Sequence, residues 1–258
     1  MRLYFSYFAM HVKSQLQYKG NFLMLLAGQF LIAFSALISV WFMFMRFHQV
    51  DGFTFEEVLL CFASVLMAFT LAETFGRGFD RFPVMISNGE FDRALVRPHS
   101  LVFQVLVSQL DLTRLGRLVQ AVLVFAWAIP KSGVVWQMDK VFTLVLMVAC
   151  GAALFFALFV VYAALSFFTL EGLEFMNILT DGGREFGAYP FSIYGENVLR
   201  FLTCVVPLAL VQYYPLLYLT GRSDSLLHML SPLISLLFLL PARALWLLGL
   251  RHYKSTGS

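Results

Sequence analysis

Long runs without a single charge constrain this chain more than any other feature. No Asp, Glu, Lys or Arg occurs between Lys19 and Arg46, nor from Val141 to Leu170. A bilayer core takes about 20 apolar residues as helix, and both runs exceed that. In hydrocarbon every backbone N–H and C=O must be paired within the segment, so such runs are read as membrane-spanning helices. A large soluble helical protein would show amphipathic stripes instead, and would carry more charge. Only 13% of this sequence is charged, against about 25% in soluble domains.

Six spans are expected in an all-α, polytopic chain, at approximately 21–45, 54–74, 112–130, 141–168, 199–219 and 225–250. The second has a charge-free stretch only from Val58 to Ala72, so Glu57 and Glu73 should sit at the interfaces. The third is interrupted by Asp111, Arg114 and Arg117. It reads either as one long helix with a polar patch or as an interfacial helix feeding a span from near Leu112. The patch is expected close to the cytoplasmic headgroups, with Asp111 and Arg114, three apart, able to pair. Pro207 and Pro215 fall in the fifth span, and Pro232, Pro241 and Arg243 in the sixth, so the second half should be the less regular.

Orientation follows from the basic residues. With both termini inside, 14 of the 18 Lys and Arg fall on cytoplasmic segments, the bias that positive-inside insertion produces. The sizeable loops, 76–100 and 171–198, then face the cytoplasm, as does the tail 251–258. Residues 1–20 place Phe5, Phe8, Ala9, Val12 and Leu16 opposite Ser6, Lys13 and Gln17. That pattern fits an amphipathic helix on the inner membrane surface, with a frayed tail as the alternative. The segment lacks the short apolar core and small-residue cleavage site of a removable signal.

Catalytic signatures are missing. The sequence has no P-loop, no H-E-x-x-H and no G-x-S-x-G. His11, His48, His99, His228 and His252 are scattered, and Cys61, Cys150 and Cys204 have no ligand or disulfide spacing, reading as buried small hydrophobes. Glu56-Glu57 reads as an interfacial anchor rather than the acid pair of an intramembrane protease. Glu73, Asp111, Arg114 and Arg243 are expected near cytoplasmic span ends, which argues against secondary transport and leaves the cytoplasmic loops as the entry point for energy. In the first loop Ser87-Asn88-Gly89 signals a turn. Glu90–Val96 then forms a short helix with its acids at the N-terminal end, and Pro98 stops it.

Two segments carry a family resemblance. Ser87-Asn-Gly-Glu-Phe-Asp-Arg-Ala-Leu-Val-Arg-Pro98 resembles a G-x-[LF]-D-x-x-L-[LV]-[RK]-P loop. Tyr189-Pro-Phe-Ser-Ile-Tyr194, followed by Leu199-Arg200, Pro207 and Tyr213-Tyr-Pro215, is similar to a Y-P-x-x-I-[YF] … L-R … P … [NY]-Y-P run. Both belong to the six-helix "ABC-2 family transporter" branch of type 2 ATP-binding cassette (ABC) exporter permeases. The resemblance implies a permease in the bacterial cell (inner, or plasma) membrane, paired with an identical or homologous second permease around a shared path. It implies two separate cytoplasmic ABC ATPase subunits that bind ATP and Mg, with no cofactor or metal on this chain. Gly89, Glu90, Asp92, Arg93, Arg97 and Pro98 would form the ATPase-coupling region, and loop 171–198 a second contact. Tyr189, Pro190, Tyr194, Arg200, Pro207, Tyr214 and Pro215 would be structural, and residues 1–20 would match the family's elbow helix. The membrane lipid is the other expected partner, and nucleic acid is not. An integral membrane enzyme or assembly factor is the alternative reading.

Overall fold

The computed structural model describes residues 2–169 and 173–253, with side chains from Tyr7 onward except that of Phe8. Phe5 and Phe8 of the expected amphipathic face therefore lie outside the described side chains, as does the tail from Lys254. Among the described residues the chain is helical without strands. A single antiparallel bridge joins Val50 and Phe53 around a tight turn.

Helix α1 (Arg2–Leu16) precedes α2 (Lys19–Arg46), and α3 (Phe55–Asp80) follows. At the end of α3 follow α4 (Phe82–Ser87), α5 (Glu90–Leu95) and α6 (Leu101–Ser108). A 3-10 turn at Leu112–Arg114 enters α7 (Leu115–Lys131), and α8 (Met138–Leu165) returns. Short helices α9 (Phe175–Leu179) and α10 (Asp181–Phe186) lead to α11 (Glu196–Cys204). Then come α12 (Leu208–Val211), α13 (Tyr213–Leu219), α14 (Leu226–Ser235) and α15 (Leu239–His252). Five helical stretches are long and apolar enough to cross a membrane. The sixth candidate is α11 with α12–α13, bent by 85°.

Helix α3 is the axis of the bundle: 83% of its apolar window is buried, against 11% for α2. Small residues let neighbours approach it. A Cβ at Gly151 of α8 would stand 2.9 Å from that of Ala68, and Phe69 meets Phe155 edge-on at 5.1 Å. Such close backbone approach is what drives helix association where lipid removes the hydrophobic incentive. Thr54 and Glu57 close a capping box at the start of α3, and Glu57 also holds Arg222 at 2.9 Å. The anchoring expected of Glu56-Glu57 thus falls to Glu57.

The third span is not one continuous helix. Residues Gln109–Asp111 break α6 from α7, and the Asp111 carboxylate accepts the Thr113 N–H at 3.2 Å. Gln15 of α1 accepts the Leu112 N–H at 3.1 Å and donates to the Leu110 carbonyl, so α1 closes the break. The loop expected at 76–100 is largely helical. Proline explains the later irregularity. Pro207 stands at the bend between α11 and α12, and Pro232 cannot donate to His228, whose carbonyl instead accepts the Ser231 hydroxyl at 2.9 Å.

The described part of the expected loop 171–198 is partly sunk into the bundle. Gly187 lies against Val65 of α3, where a Cβ would come within 3.0 Å, and Ala188 is buried in the same cluster as Leu60 and Cys61. Gln212 donates to the carbonyls of Tyr189 (2.8 Å) and Gly187 (3.4 Å). Irregular backbone at this depth is tolerated only when protein groups satisfy it, and Gln212 does so. Cys61 and Cys150 are buried, but Cys204 is exposed, so only two of the three cysteines are core residues.

Candidate functional site

Two polar constellations stand out, one on the surface beyond α3 and one inside the bundle. On the surface, Gly89 takes φ +67° to turn the chain from α4 into α5, a conformation that glycine adopts without strain. Phe91 faces inward, packed edge-on against Phe82, Phe167 and Tyr253 at 5.0–5.5 Å. Glu90, Arg93, Arg97 and Pro98 are exposed. Asp92 accepts the Tyr253 hydroxyl at 2.9 Å, tying α5 to the end of α15. Gln104 donates to the carbonyls of Ala94 (3.0 Å) and His99 (2.9 Å), fixing α5 on α6. His11 of α1 sits 2.9 Å from the Val107 carbonyl.

Partial burial, together with the Asp92 carboxylate that accepts its hydroxyl, pushes the Tyr253 phenol up to about 12 from 10.0. A raised phenol pKa favours the protonated folded form. Its stabilisation is present below pH 10 and is lost as pH rises through about 12. Tyr253→Phe should cost about 1 kcal/mol at neutral pH and flatten the melting curve's alkaline decline, measured by thermal unfolding between pH 8 and 12.

Inside the bundle, one carboxylate holds three guanidiniums. Glu73 Oε1 lies 3.1 Å from Arg77 and 3.2 Å from Arg114, and its Oε2 lies 2.8 Å from Arg117. Arg77 also pairs with Asp80. The expected Asp111–Arg114 pair is present at 2.9 Å, and Arg114 further donates to Gln29 of α2 at 3.1 Å. Glu73 and Arg117 are 4% and 5% exposed. The basic residues of the third span's polar patch are therefore turned toward α3, where Glu73 supplies their countercharge. Three acids against three bases leave the set neutral, the condition for burying it at tolerable cost. Beside it Arg184 of α10 lies over the Phe69 ring at 5.0 Å and pairs with Glu185.

The remaining motif residues gather elsewhere. Pro190 and Pro215 are buried, and the Tyr194 hydroxyl donates to the Phe186 carbonyl at 3.0 Å. Tyr214 lies within 3.3 Å of the Thr203 hydroxyl across the bend. Arg200 is exposed and pairs with Glu196, a turn away. The residues of the α5 region and this second group do not meet. Among the described residues no cluster of His, Cys, Asp or Glu could hold a metal ion. Sequence reasoning missed Glu73 as a hub, and Gln212 and Gln120 altogether; for the two glutamines the signal was an amide inside an apolar run.

A family model described as ABC-2 family transporter protein matches residues 30–257. No curated protein and no solved structure matches the chain.

Proposed function

The chain belongs to the ABC-2 transporter family, and on that premise we propose that it is the permease subunit of an exporter powered by separate cytoplasmic ABC ATPases. The observation that carries this reading is the reach of the family match, which takes in every membrane-crossing candidate from within α2 to α15. The chain forms half of a path, with an identical or homologous permease supplying the other half. ATP and Mg are bound by two ATPase copies, not here. Both termini face the cytoplasm of a bacterial cell.

The ATPases dock on the exposed edge of α5 formed by Glu90, Arg93 and Arg97. Phe91 and Asp92 make α5 rigid with respect to Phe167, Trp246 and Tyr253. Movement of the docked ATPases therefore tilts α8 and α15 rather than flexing a loop, a small shift delivered to a packed and bistable bundle.

Affinity-tagged chain should co-purify an ABC ATPase expressed with it, from the neighbouring reading frames where one occurs. Arg93→Glu combined with Arg97→Glu should lower that recovery at least tenfold, or leave ATP hydrolysis uncoupled from export, while the melting temperature stays put. Undiminished assembly and export in the double variant would remove α5 as the docking element.

A further inference from the structure

A cavity of about 350 Å³ opens between α2, α3 and α7, one helical turn beyond Arg117 on α7. Its walls are apolar and largely aromatic, including Phe30, Phe34, Trp41, Phe55 and Trp127. The exception is Gln120 of α7, which lines it, is 2% exposed, and has neither Nε2 nor Oε1 hydrogen-bonded. A buried amide with no partner is costly in an apolar setting. Volume, apolar lining and one placed polar group together are the marks of a small-molecule site.

Depth decides what fits. Trp127 lies near the α7 terminus beside Lys131, whose ammonium is 4.2 Å from its ring, the arrangement of an interfacial aromatic belt. Gln120 is two turns earlier, about 10 Å deeper at 1.5 Å per residue. A bilayer lipid anchored at that belt carries its esters there and brings only methylenes to Gln120. The amide needs a ligand whose own polar group travels at the deep end.

We propose that this cavity binds an uncharged amphiphile. Its terminal carboxamide, undissociated acid or hydroxyl pairs with the Gln120 amide, which a turn of that side chain brings from the cavity wall into the space, while its hydrocarbon body points toward Trp41 and Trp127. No charged side chain lines the cavity, which excludes an ionised head group. As the seat of exported cargo the site rests on the permease reading; as a binding site it does not.

The test uses the full chain alone in detergent, without ATPase, so that failure of coupling leaves the result intact. Trp136 and Trp246 are replaced by Phe, leaving Trp41 and Trp127 as reporters. The probes are 10,11-dibromoundecanamide, whose quenching bromines lie opposite its amide, and 1,2-dibromododecane, which lacks the amide. The carboxamide should quench saturably and bind at least tenfold tighter than the alkane. Gln120→Leu should erase that difference without lowering the melting temperature, because it removes an unpaired amide. Leu59→Phe, which narrows the cavity without adding a fluorophore, should weaken saturable quenching by the carboxamide at least tenfold. Equal quenching of the parent by the two probes overturns the proposal and leaves a lipid tail as the occupant. No quenching by either overturns it too, with a second copy of the chain over the groove.

Discussion

Glu73→Ala should destabilise the protein by about 3–5 kcal/mol, the cost of stripping one partner from a buried ion pair, and should sharply reduce the amount of folded protein recovered from membranes. The size follows from geometry. Among the described residues Arg117 has Glu73 as its only carboxylate within 4.0 Å, at 2.8 Å, and is itself 5% exposed. Arg77 and Arg114 keep Asp80 and Asp111 when Glu73 is lost, so the unmet charge falls chiefly on Arg117. That asymmetry gives a specific rescue. Glu73→Leu with Arg117→Leu removes both members of the orphaned pair and should recover most of the loss, since apolar replacement of a whole buried pair is often neutral or better. Melting temperatures of the two single variants and the double variant in one detergent form the cycle. Additive losses would show that Glu73 and Arg117 do not depend on each other.

The charge-free runs and single breakers carried the reading of α2, α8 and the Asp111 interruption, because length and hydropathy act locally. The Asn88-Gly89 turn and the helix after it were legible for the same reason. The ionic hub was not. Glu73, Arg114 and Arg117 each stood near an expected span end, and nothing local says that a carboxylate on one helix faces guanidiniums over forty residues away. The segment around Arg184 misled more strongly. It falls in the expected cytoplasmic loop 171–198, yet Gly183 and Gly187 let the backbone press against Leu208, Phe155 and Val65. Gln212, distant in sequence, then answers the exposed carbonyls. Residues whose roles depend on such remote partners leave no periodic trace. Gln120 left even less, a lone amide in an apolar run that gains meaning only from the empty space beside it.

Gly78→Ala should be the most damaging single methyl that can be added to the α3–α6 contact. A Cβ at Gly78 would stand 1.8 Å from the Val105 carbonyl oxygen and 2.8 Å from the Ser108 hydroxyl. The first obstacle is backbone, so no side-chain rotation relieves it, and α6 must withdraw until the distance exceeds 3.0 Å. Overpacking of this kind typically costs about 1–3 kcal/mol and more where the backbone is the obstacle. Helix α6 cannot withdraw alone. Gln104 ties it to the Ala94 and His99 carbonyls, and His11 ties it to α1. Helix α5 would therefore shift with it, and if it is the docking edge proposed above, ATP hydrolysis by a bound ATPase should lose its coupling to export even in molecules that stay folded. Gly28→Ala is the control, because a Cβ there meets nothing within 4 Å. In the isolated chain it should stabilise α2 slightly, by about 0.4–1 kcal/mol. A Gly78→Ala protein that melts and couples like the parent would mean that α6 does not rest on α3 in the membrane, and the route from α5 into the bundle would have to run through Phe91 alone.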